Sequence, residues 1–240
     1  MITNTRAVVL NCLRYGDSSL IVNLYTESLG RQAVFVKGAF SKKSSVRAAL
    51  FQSLHLIETE IHYRVNRQMQ RISEARLIQP FLSIPFDPVK RSVAMFISEI
   101  LNKTLKEEEA NHELFNFLFH SIRTLDLNDC GTANFHLMFL MHYTRYLGFY
   151  LDSKQLANGF LLDLPTSGYT GSLSPLSSRF EYVPLLSQFM ELSFEHLDKM
   201  QISHHQRNRL AEYLLSYYSM QVDGFGTVKS FAVLRDVFQD

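Results

Sequence analysis

Apolar and polar residues alternate in the first third of the chain and recur at helical spacing in the remainder. Five short stretches in residues 1–80 have the β-branched and aromatic composition of strands. They are AVVLNCL (7–13), LIVNLYT (20–26), QAVFVKG (32–38), SLHLIETEIHY (53–63) and RISEARLI (71–78). Five strands in about 75 residues favour a small closed β-barrel, because closure leaves no exposed strand edge.

The fourth stretch alternates most clearly, with Ile57 and Ile61 on one face and Glu58 and Glu60 on the other. The segment SSVRAALFQ (44–52), between the third and fourth strands, is compatible with either a short helix or the start of a strand. Both alternatives leave the barrel prediction unchanged.

Three prolines between residues 80 and 88 end the strand-rich region, and helical spacing begins after them. Asp87 is suited to the N-cap of the first helix and Pro88 to its first turn, while Ser203 and Gln206 form a capping-box pattern. Apolar stripes at helical spacing occupy residues 89–105, 114–125, 135–147, 182–200, 204–221 and 228–238. The sequence therefore predicts a multi-domain α+β protein: a β-barrel in residues 1–80 and an all-α domain in 81–240, with an irregular loop or subdomain at about 150–180.

Composition indicates a soluble, cytoplasmic protein. Apolar residues make up 46% of the 240 positions and charged residues 20%. No apolar run is long enough for a signal peptide or a membrane span. The two cysteines, Cys12 and Cys130, lie far apart and form no CxxC pair, which is typical of a protein from a reducing compartment.

Charge separates the chain into a basic part and an acidic part. Residues 1–80 hold 11 of the 24 Lys+Arg but only 5 of the 23 Asp+Glu, and no acidic residue lies between Glu27 and Glu58. A basic, β-rich module predicts a polyanionic partner, most often nucleic acid, and small barrels bind single strands in basic grooves. The candidate DNA contacts are Lys37, Lys42, Lys43 and Arg47, with Arg31, Arg14, Arg64 and Arg67 as second-tier candidates. Tyr15, Phe35 and Phe40 are candidate stacking residues, although most aromatic rings of a barrel face inward, and we expect these to do so.

Catalytic motifs are weak or missing. The segment from Gly38 to Ser44 lacks the second glycine that a GxxxxGK[ST] phosphate loop requires, and neither HExxH nor GxSxG occurs. His136 and His142 stand among apolar residues, where a structural role is commoner than metal binding. The best local metal candidate is the set Glu191, Glu195 and His196 on one predicted helix, without a second group of ligands. We therefore predict a protein that is not an enzyme and holds neither metal nor cofactor.

The segment from Thr5 to Ser44 resembles the start of the bacterial DNA repair protein RecO family. The matching residues are Ala7-Val-Val-Leu10, Tyr15-Gly16-Asp17, Ile21-Val22, Leu24, Thr26, Gly30, Lys37-Gly38 and Lys43-Ser44. The resemblance resumes at Tyr146-Leu-Gly-Phe149, at Val228-Lys-Ser230 and at Val233-Leu234. It thus touches both ends and the middle of the chain.

The resemblance implies an N-terminal OB-fold and a helical C-terminal domain. It also implies a recombination mediator that binds and anneals single-stranded DNA and, together with RecR, helps load RecA onto strands coated by single-stranded DNA-binding protein. The helical domain would then dock the acidic C-terminal tail of the coating protein, and Arg123 and Arg145 are candidates to bind the tail's carboxylate.

Many family members carry two CxxC pairs after the LGF segment, whereas residues 152–170 contain no cysteine here. Zinc at this position is held by four thiolates, so we expect purified protein to contain no stoichiometric zinc. Elemental analysis that finds one zinc per chain would contradict this expectation.

Two other functions stay open at this point. One is a generic OB-fold adaptor for nucleic acid, without a role in recombination. The other is a metal-dependent nuclease that uses Glu191 and Glu195. Degradation of labelled single strands with Mg²⁺ or Mn²⁺ would indicate the nuclease, whereas intact strands that anneal faster would indicate the mediator.

Overall fold

The computed structural model describes residues 1–41, 46–150 and 177–238. They belong to two compact units: Met1–Pro85 with Leu105–Asp126, and Phe86–Thr104 with the described part of Leu127–Asp240. The strands are β1 (Ile2–Tyr15), β2 (Ser19–Thr26), β3 (Gly30–Val36), β4 (Leu56–His62) and β5 (Gln70–Leu77). The α-helices of the described residues are α1 (Pro88–Thr104), α2 (His112–Leu127), α3 (Phe135–Tyr143), α4 (Ser177–Glu191), α5 (His204–Gln221) and α6 (Ser230–Val237).

The five strands form a closed barrel in the order β1-β2-β3-β5-β4. Neighbouring strands are antiparallel except β3 and β5, which run parallel. This confirms the predicted fold class, an OB-like barrel followed by helices. The segment between β3 and β4 forms a short 3₁₀ helix, Ala48–Phe51, which decides between the two alternatives left open by the sequence.

The barrel core follows the two-residue period of the strands. Val34 and Val36 of β3 are buried and Phe35 between them is partly exposed, and Ile57 and Ile61 of β4 point inward as predicted. Phe51 of the 3₁₀ helix is fully buried in the same apolar cluster. Apolar burial of this kind is the main term that stabilises the barrel.

The segment Leu105–Asp126 clusters with the barrel. Gly30, at φ +63°, has no room for a side chain, because a Cβ atom would collide with the backbone of Glu108 and Glu109. The next residue donates its backbone N–H to the carbonyl of Glu107 at 3.1 Å. Glycine at position 30 is therefore required both for the backbone angle and for this close approach.

Arg6 joins β1 to α2 within the same unit. Its guanidinium donates to both carboxylate oxygens of Glu27, at 2.8 and 2.6 Å. It also lies over the rings of Phe115 and Phe119, at 5.3 and 5.0 Å from their centroids. The bidentate pair and the two ring contacts give Arg6 a structural role.

Asp126 fastens the segment that follows the barrel. Its buried carboxylate accepts backbone N–H groups from Leu82, Ser83 and Ile84 at 2.8–3.1 Å. The hydroxyl of Ser83 donates to the same residue. One carboxylate therefore satisfies three consecutive backbone donors that lie outside the strands and helices.

In the second unit, α3 is the central helix. Every residue of α3 except His142 is buried, in agreement with its apolar sequence on all sides, and α3 packs against α1, α4 and α5. Asp87 caps α1 by accepting the N–H groups of Val89 and Lys90 at 2.8 and 3.1 Å. The predicted capping box of Ser203 and Gln206 is also confirmed at the start of α5.

Two segments that carry the family resemblance make tertiary contacts in this unit. Phe149 contacts Tyr217 and Tyr218 edge-on, at 5.5 and 5.3 Å. The carboxylate of Glu99 accepts N–H groups from Lys229 and Ser230 and the Ser230 hydroxyl, and so caps α6. Both segments therefore hold helices together. Within the described part of the chain, no helix has the length and apolar character needed to cross a membrane.

The prediction of one helix over residues 182–200 was wrong. Helix α4 ends at Glu191, and a separate 3₁₀ helix spans Phe194–Lys199. Ser193 has extended backbone angles, its hydroxyl lies 3.0 Å from Nδ1 of His196, and His196 itself has non-helical angles. These local interactions compete with helix formation and end the helix early.

Candidate nucleic-acid interface

Two turns of the barrel meet at one end. Arg14 and Tyr15 end β1 next to the β1–β2 turn, and the segment after β3 carries Lys37 and Phe40. The two segments are joined because the N–H of Phe40 donates to the carbonyl of Ser18 at 3.4 Å. This proximity follows from strand pairing, since Leu20 at the start of β2 faces Val36 at the end of β3.

Charged and aromatic side chains contact each other at this end. The Arg14 guanidinium lies 5.1 Å from the centroid of the Phe40 ring and donates to the carbonyl of Asp17 at 3.2 Å. Tyr15 meets Phe35 edge-on at 5.8 Å. Lys37 is exposed beside them. We call Arg14, Tyr15, Phe35, Lys37 and Phe40 the basic-aromatic cluster.

The expectation that these aromatic rings belong to the core was wrong. Tyr15 is 59% and Phe40 50% exposed, and Phe35 is partly exposed. Tyr15 ends β1, Phe40 lies in a turn, and Phe35 alternates with two inward-pointing valines. Exposed rings beside cations are suited to base stacking and phosphate contact on single strands.

Outward-facing residues continue from the cluster across the barrel surface. In the strand register, Leu13 faces Ile21, Ile21 faces Phe35, Phe35 faces Arg71, and Arg71 faces His62. This row crosses all five strands, and none of its members is buried. Ligands of OB-folds bind the surface of strands 2 and 3 and the β1–β2 and β4–β5 loops, which is the region that this row crosses.

The other predicted DNA contacts are distributed unevenly. Arg47 is exposed at the start of the 3₁₀ helix, and the N–H of Ala48 donates to the carbonyl of Ala39 at 3.0 Å, which places Arg47 near the same turn. Lys42 and Lys43 lie outside the described residues. In the described part of the chain, none of Arg14, Lys37 and Arg47 is paired with a carboxylate.

Arg31 is placed elsewhere. Its guanidinium donates to the carbonyl of Leu105, and burial lowers its pKa. The neighbouring N–H contact to Glu107 holds the same residue at this position. Arg31 thus acts as a tether between β3 and the segment after residue 105, and the structure does not bring it into the basic-aromatic cluster.

Arg123 and Arg145 are both exposed but belong to different compact units. The Arg123 guanidinium lies 5.9 Å from the Phe119 ring centroid, and that of Arg145 lies 4.9 Å from the Tyr150 ring centroid. Each therefore offers a charge next to an aromatic ring, and their role in binding the tail of the coating protein stays a prediction.

Sequence reasoning missed Leu13, Ile21 and Arg71 as parts of the outer row. Leu13 and Ile21 read as ordinary strand residues. The outward direction of Leu13 depends on an irregularity in the β1–β2 register between Val9 and Asn11, whereas Ile21 points outward because it alternates with the buried Leu20 and Val22. Arg71 reaches Phe35 only through the parallel β3–β5 pairing. A non-local pairing of this kind has no local sequence signal.

Among the described residues, no group of three or more His, Cys, Asp or Glu side chains is close enough to hold a metal ion. Glu191 and Glu195 are not one turn apart on one helix, because α4 ends between them. His136 is fully buried, and burial lowers its pKa to about 3, which keeps its imidazole neutral. The arrangement that motivated the nuclease alternative is therefore not formed.

Comparison with known proteins extends over nearly the whole chain. Residues 1–81 match the family model described as Recombination protein O N terminal, and residues 85–230 match Recombination protein O C terminal. The chain belongs to the RecO family. The resemblance noted in the sequence is thereby confirmed.

Curated relatives agree with this assignment. DNA repair protein RecO of Phocaeicola vulgatus is 37% identical over 241 aligned positions, which cover 99% of this chain and 100% of the relative. The protein of the same name from Flavobacterium psychrophilum is 36% identical and covers 98% of each chain, and that of Christiangramia forsetii is 34% identical. RecO membership assigns this chain to DNA repair by recombination, in a family of mediators and not of enzymes.

Proposed function

We propose that this protein binds single-stranded DNA through the basic-aromatic cluster, anneals complementary strands, and with RecR helps load RecA onto strands coated by single-stranded DNA-binding protein. The observation that carries the proposal is the cluster itself. Arg14 and Lys37, neither of which is paired with a carboxylate among the described residues, stand beside exposed Tyr15 and Phe40 at the end of an OB-like barrel. Cations for phosphates next to rings for bases are what sequence-independent strand binding requires.

Annealing follows from the same surface. Two complementary strands repel each other through their phosphates, and a basic surface reduces that repulsion by replacing counterions. No step needs nucleotide hydrolysis. The chain accordingly lacks the GxxxxGK[ST] sequence of a phosphate loop.

Exchange of the coating protein needs a second contact. A mediator that holds the strand with its barrel and the coating protein with another surface links two weak interactions. The second interaction then occurs at high effective concentration and still dissociates. We assign the protein contact to the acidic tail of the coating protein, with Arg123 or Arg145 as the cation for its carboxylate.

The proposed function predicts faster annealing without ATP. Complementary strands precoated with cognate single-stranded DNA-binding protein should anneal faster when this protein is added, as measured by quenching between two end-labelled strands. RecA filament formation on coated strands should also accelerate with RecR present. Annealing of naked strands alone, with no effect on coated strands or on RecA, would support a generic OB-fold adaptor instead.

The tail contact predicts a loss of peptide affinity. Either Arg123 or Arg145 is the residue that binds the carboxylate of the tail. Replacing that residue by alanine removes a charge-assisted hydrogen bond and should lower the affinity for the tail peptide about tenfold. Calorimetry with the tail peptide measures this, and Lys199→Ala, which removes an exposed lysine of the 3₁₀ helix Phe194–Lys199, is the matched control. Unchanged affinity in both arginine variants would remove them from the proposed contact.

A further inference from the structure

The loop between β4 and β5 borders a cavity of about 420 Å³ on the barrel. Three arginines line it, Arg64, Arg67 and Arg71, together with His62. No carboxylate is among its lining residues. We call this the arginine cavity. Its charge suits an anion, and its volume is sufficient for a phosphate together with part of the attached sugar.

A single buried side chain holds the loop in shape. Gln70 is 3% exposed and uses both ends of its amide. Its Oε1 accepts the N–H of Arg64 at 2.9 Å, and its Nε2 donates to the carbonyls of Arg64 and Arg67 at 3.0 and 2.9 Å. The N–H of Arg67 also donates to the carbonyl of Arg64 at 3.1 Å. The backbone that carries two of the arginines is therefore ordered before any ligand arrives, which lowers the entropic cost of binding.

The arginines of the barrel differ in whether they have a partner. Arg6 pairs with Glu27, and Arg76 pairs with Glu58 through two hydrogen bonds from one guanidinium. By contrast, in the part of the chain that the structure describes, no carboxylate lies within salt-bridge distance of the Arg64, Arg67 or Arg71 side chains. Three like charges at one cavity repel each other, and a bound anion removes that repulsion.

The arginine cavity adjoins the proposed DNA surface. Arg71 lies directly opposite Phe35 in the β3–β5 register, and Phe35 belongs to the basic-aromatic cluster. The outer row that passes through Phe35 and Arg71 ends at His62, which also lines the cavity. A single-stranded DNA whose bases stack on the basic-aromatic cluster therefore extends along this row of residues toward the three arginines.

We propose that Arg64, Arg67 and Arg71 form a phosphate-binding site for single-stranded nucleic acid, separate from the basic-aromatic cluster. The proposal rests on the proposed function in so far as the ligand is a nucleic-acid strand. Guanidinium groups bind phosphate oxygens in pairs of hydrogen bonds, and a rigid loop keeps these groups aligned. The phosphate is supplied either by the end of a strand, as a monoester, or by its interior, as a diester.

Binding of oligonucleotides of one length tests the site and distinguishes the two sources. The strands carry a 5′-phosphate, a 3′-phosphate or hydroxyls at both ends, and fluorescence anisotropy is measured over a range of salt concentrations. The variants are Arg67→Gln and Arg71→Gln. The control is Arg76→Gln, which removes the same charge from β5 outside the arginine cavity. Thermal unfolding of each variant checks that the barrel is intact.

We expect Arg67→Gln and Arg71→Gln to weaken binding about tenfold and Arg76→Gln to leave it nearly unchanged. If the monoester is the ligand, the parent prefers one phosphate-ended strand and both variants lose that preference. If the diester is the ligand, there is no end preference, and each variant flattens the salt slope by roughly 0.7.

Equal behaviour of Arg67→Gln, Arg71→Gln and Arg76→Gln would overturn the phosphate site. In that case, a Lys37→Gln variant shows whether the proposed function also fails. Weaker binding by Lys37→Gln keeps the barrel as the DNA-binding module without this site. Parent-like binding by all four variants would remove both the phosphate site and the basic-aromatic cluster.

Discussion

Replacing Lys37, Lys42, Lys43 and Arg47 together by alanine is expected to weaken single-stranded DNA binding by about two orders of magnitude at 0.1 M salt. Each phosphate contact on a single strand contributes roughly 0.7 to the salt slope, so the loss of four contacts should lower the slope by roughly 2.8. The loss should be similar for all base sequences, because phosphates carry no sequence information. Binding isotherms over a series of salt concentrations measure both quantities.

The four positions are suited to this test because Lys37 and Arg47, the two that lie within the described residues, do not hold the fold together. Lys37 and Arg47 are exposed, and neither is paired with a carboxylate in the described part of the chain. A matched pair of double variants controls for net charge: Lys37→Ala with Arg47→Ala, against Lys199→Ala with Lys229→Ala in the second unit. If the quadruple variant binds as tightly as the parent at low salt, the basic stretch takes no part in DNA binding.

Replacing Asp126 by alanine is expected to lower the free energy of unfolding by about 3 kcal/mol. The change removes the carboxylate that accepts the N–H groups of Leu82, Ser83 and Ile84. Donors to a charged acceptor contribute more than those to a neutral one. Denaturant unfolding measures the loss, and Asp17→Ala, at an exposed turn carboxylate, should change stability by less than about 0.5 kcal/mol.

The Asp126 contribution also depends on pH in a stated direction. Burial by itself raises the pKa of this carboxyl, but the hydrogen bonds from Ile84, Leu82 and Ser83 outweigh burial and hold the pKa below its ordinary value of 3.8. The stabilisation is therefore fully present above about pH 3.8 and is lost as pH falls through the lower, folded-state pKa. If Asp126→Ala and the parent keep the same difference in stability down to the lowest accessible pH, the carboxylate is not its source.

Arg31 and Arg71 show how far sequence reasoning reaches within the candidate site. Arg31 and Lys37 both lie in the stretch without acidic residues, so charge patterning grouped the two. The structure separates them, because the segment after residue 105 clusters with the barrel and its carbonyl oxygens bind Arg31. Arg71 had no such signal, yet parallel pairing of β3 with β5 places it opposite Phe35.

The aromatic residues show the same limit. Average burial statistics place phenylalanine inside a barrel, but alternation along β3 places Phe35 between two inward valines and directs it outward. Tyr15 and Phe40 are exposed because each lies where a strand has ended and a turn begins. The position of each ring in its strand or turn therefore determines its exposure, which average composition predicted incorrectly.

The sequence by itself determined whatever depends on neighbours within a few positions. Strand-like composition and period-two alternation predicted the five strands. Asp87 and the pair Ser203 and Gln206 predicted two helix starts. The counts of Lys+Arg and Asp+Glu separated a basic part of the chain from an acidic part. Hydrogen bonds and apolar faces of this kind form between residues that are close in sequence, so a short segment of sequence is sufficient to predict them. The tertiary structure alone decided the β3–β5 pairing, the grouping of residues 105–126 with the barrel and the position of three arginines around one cavity. These features join residues distant in sequence, and their energies depend on the packing of the whole barrel rather than on any local pattern.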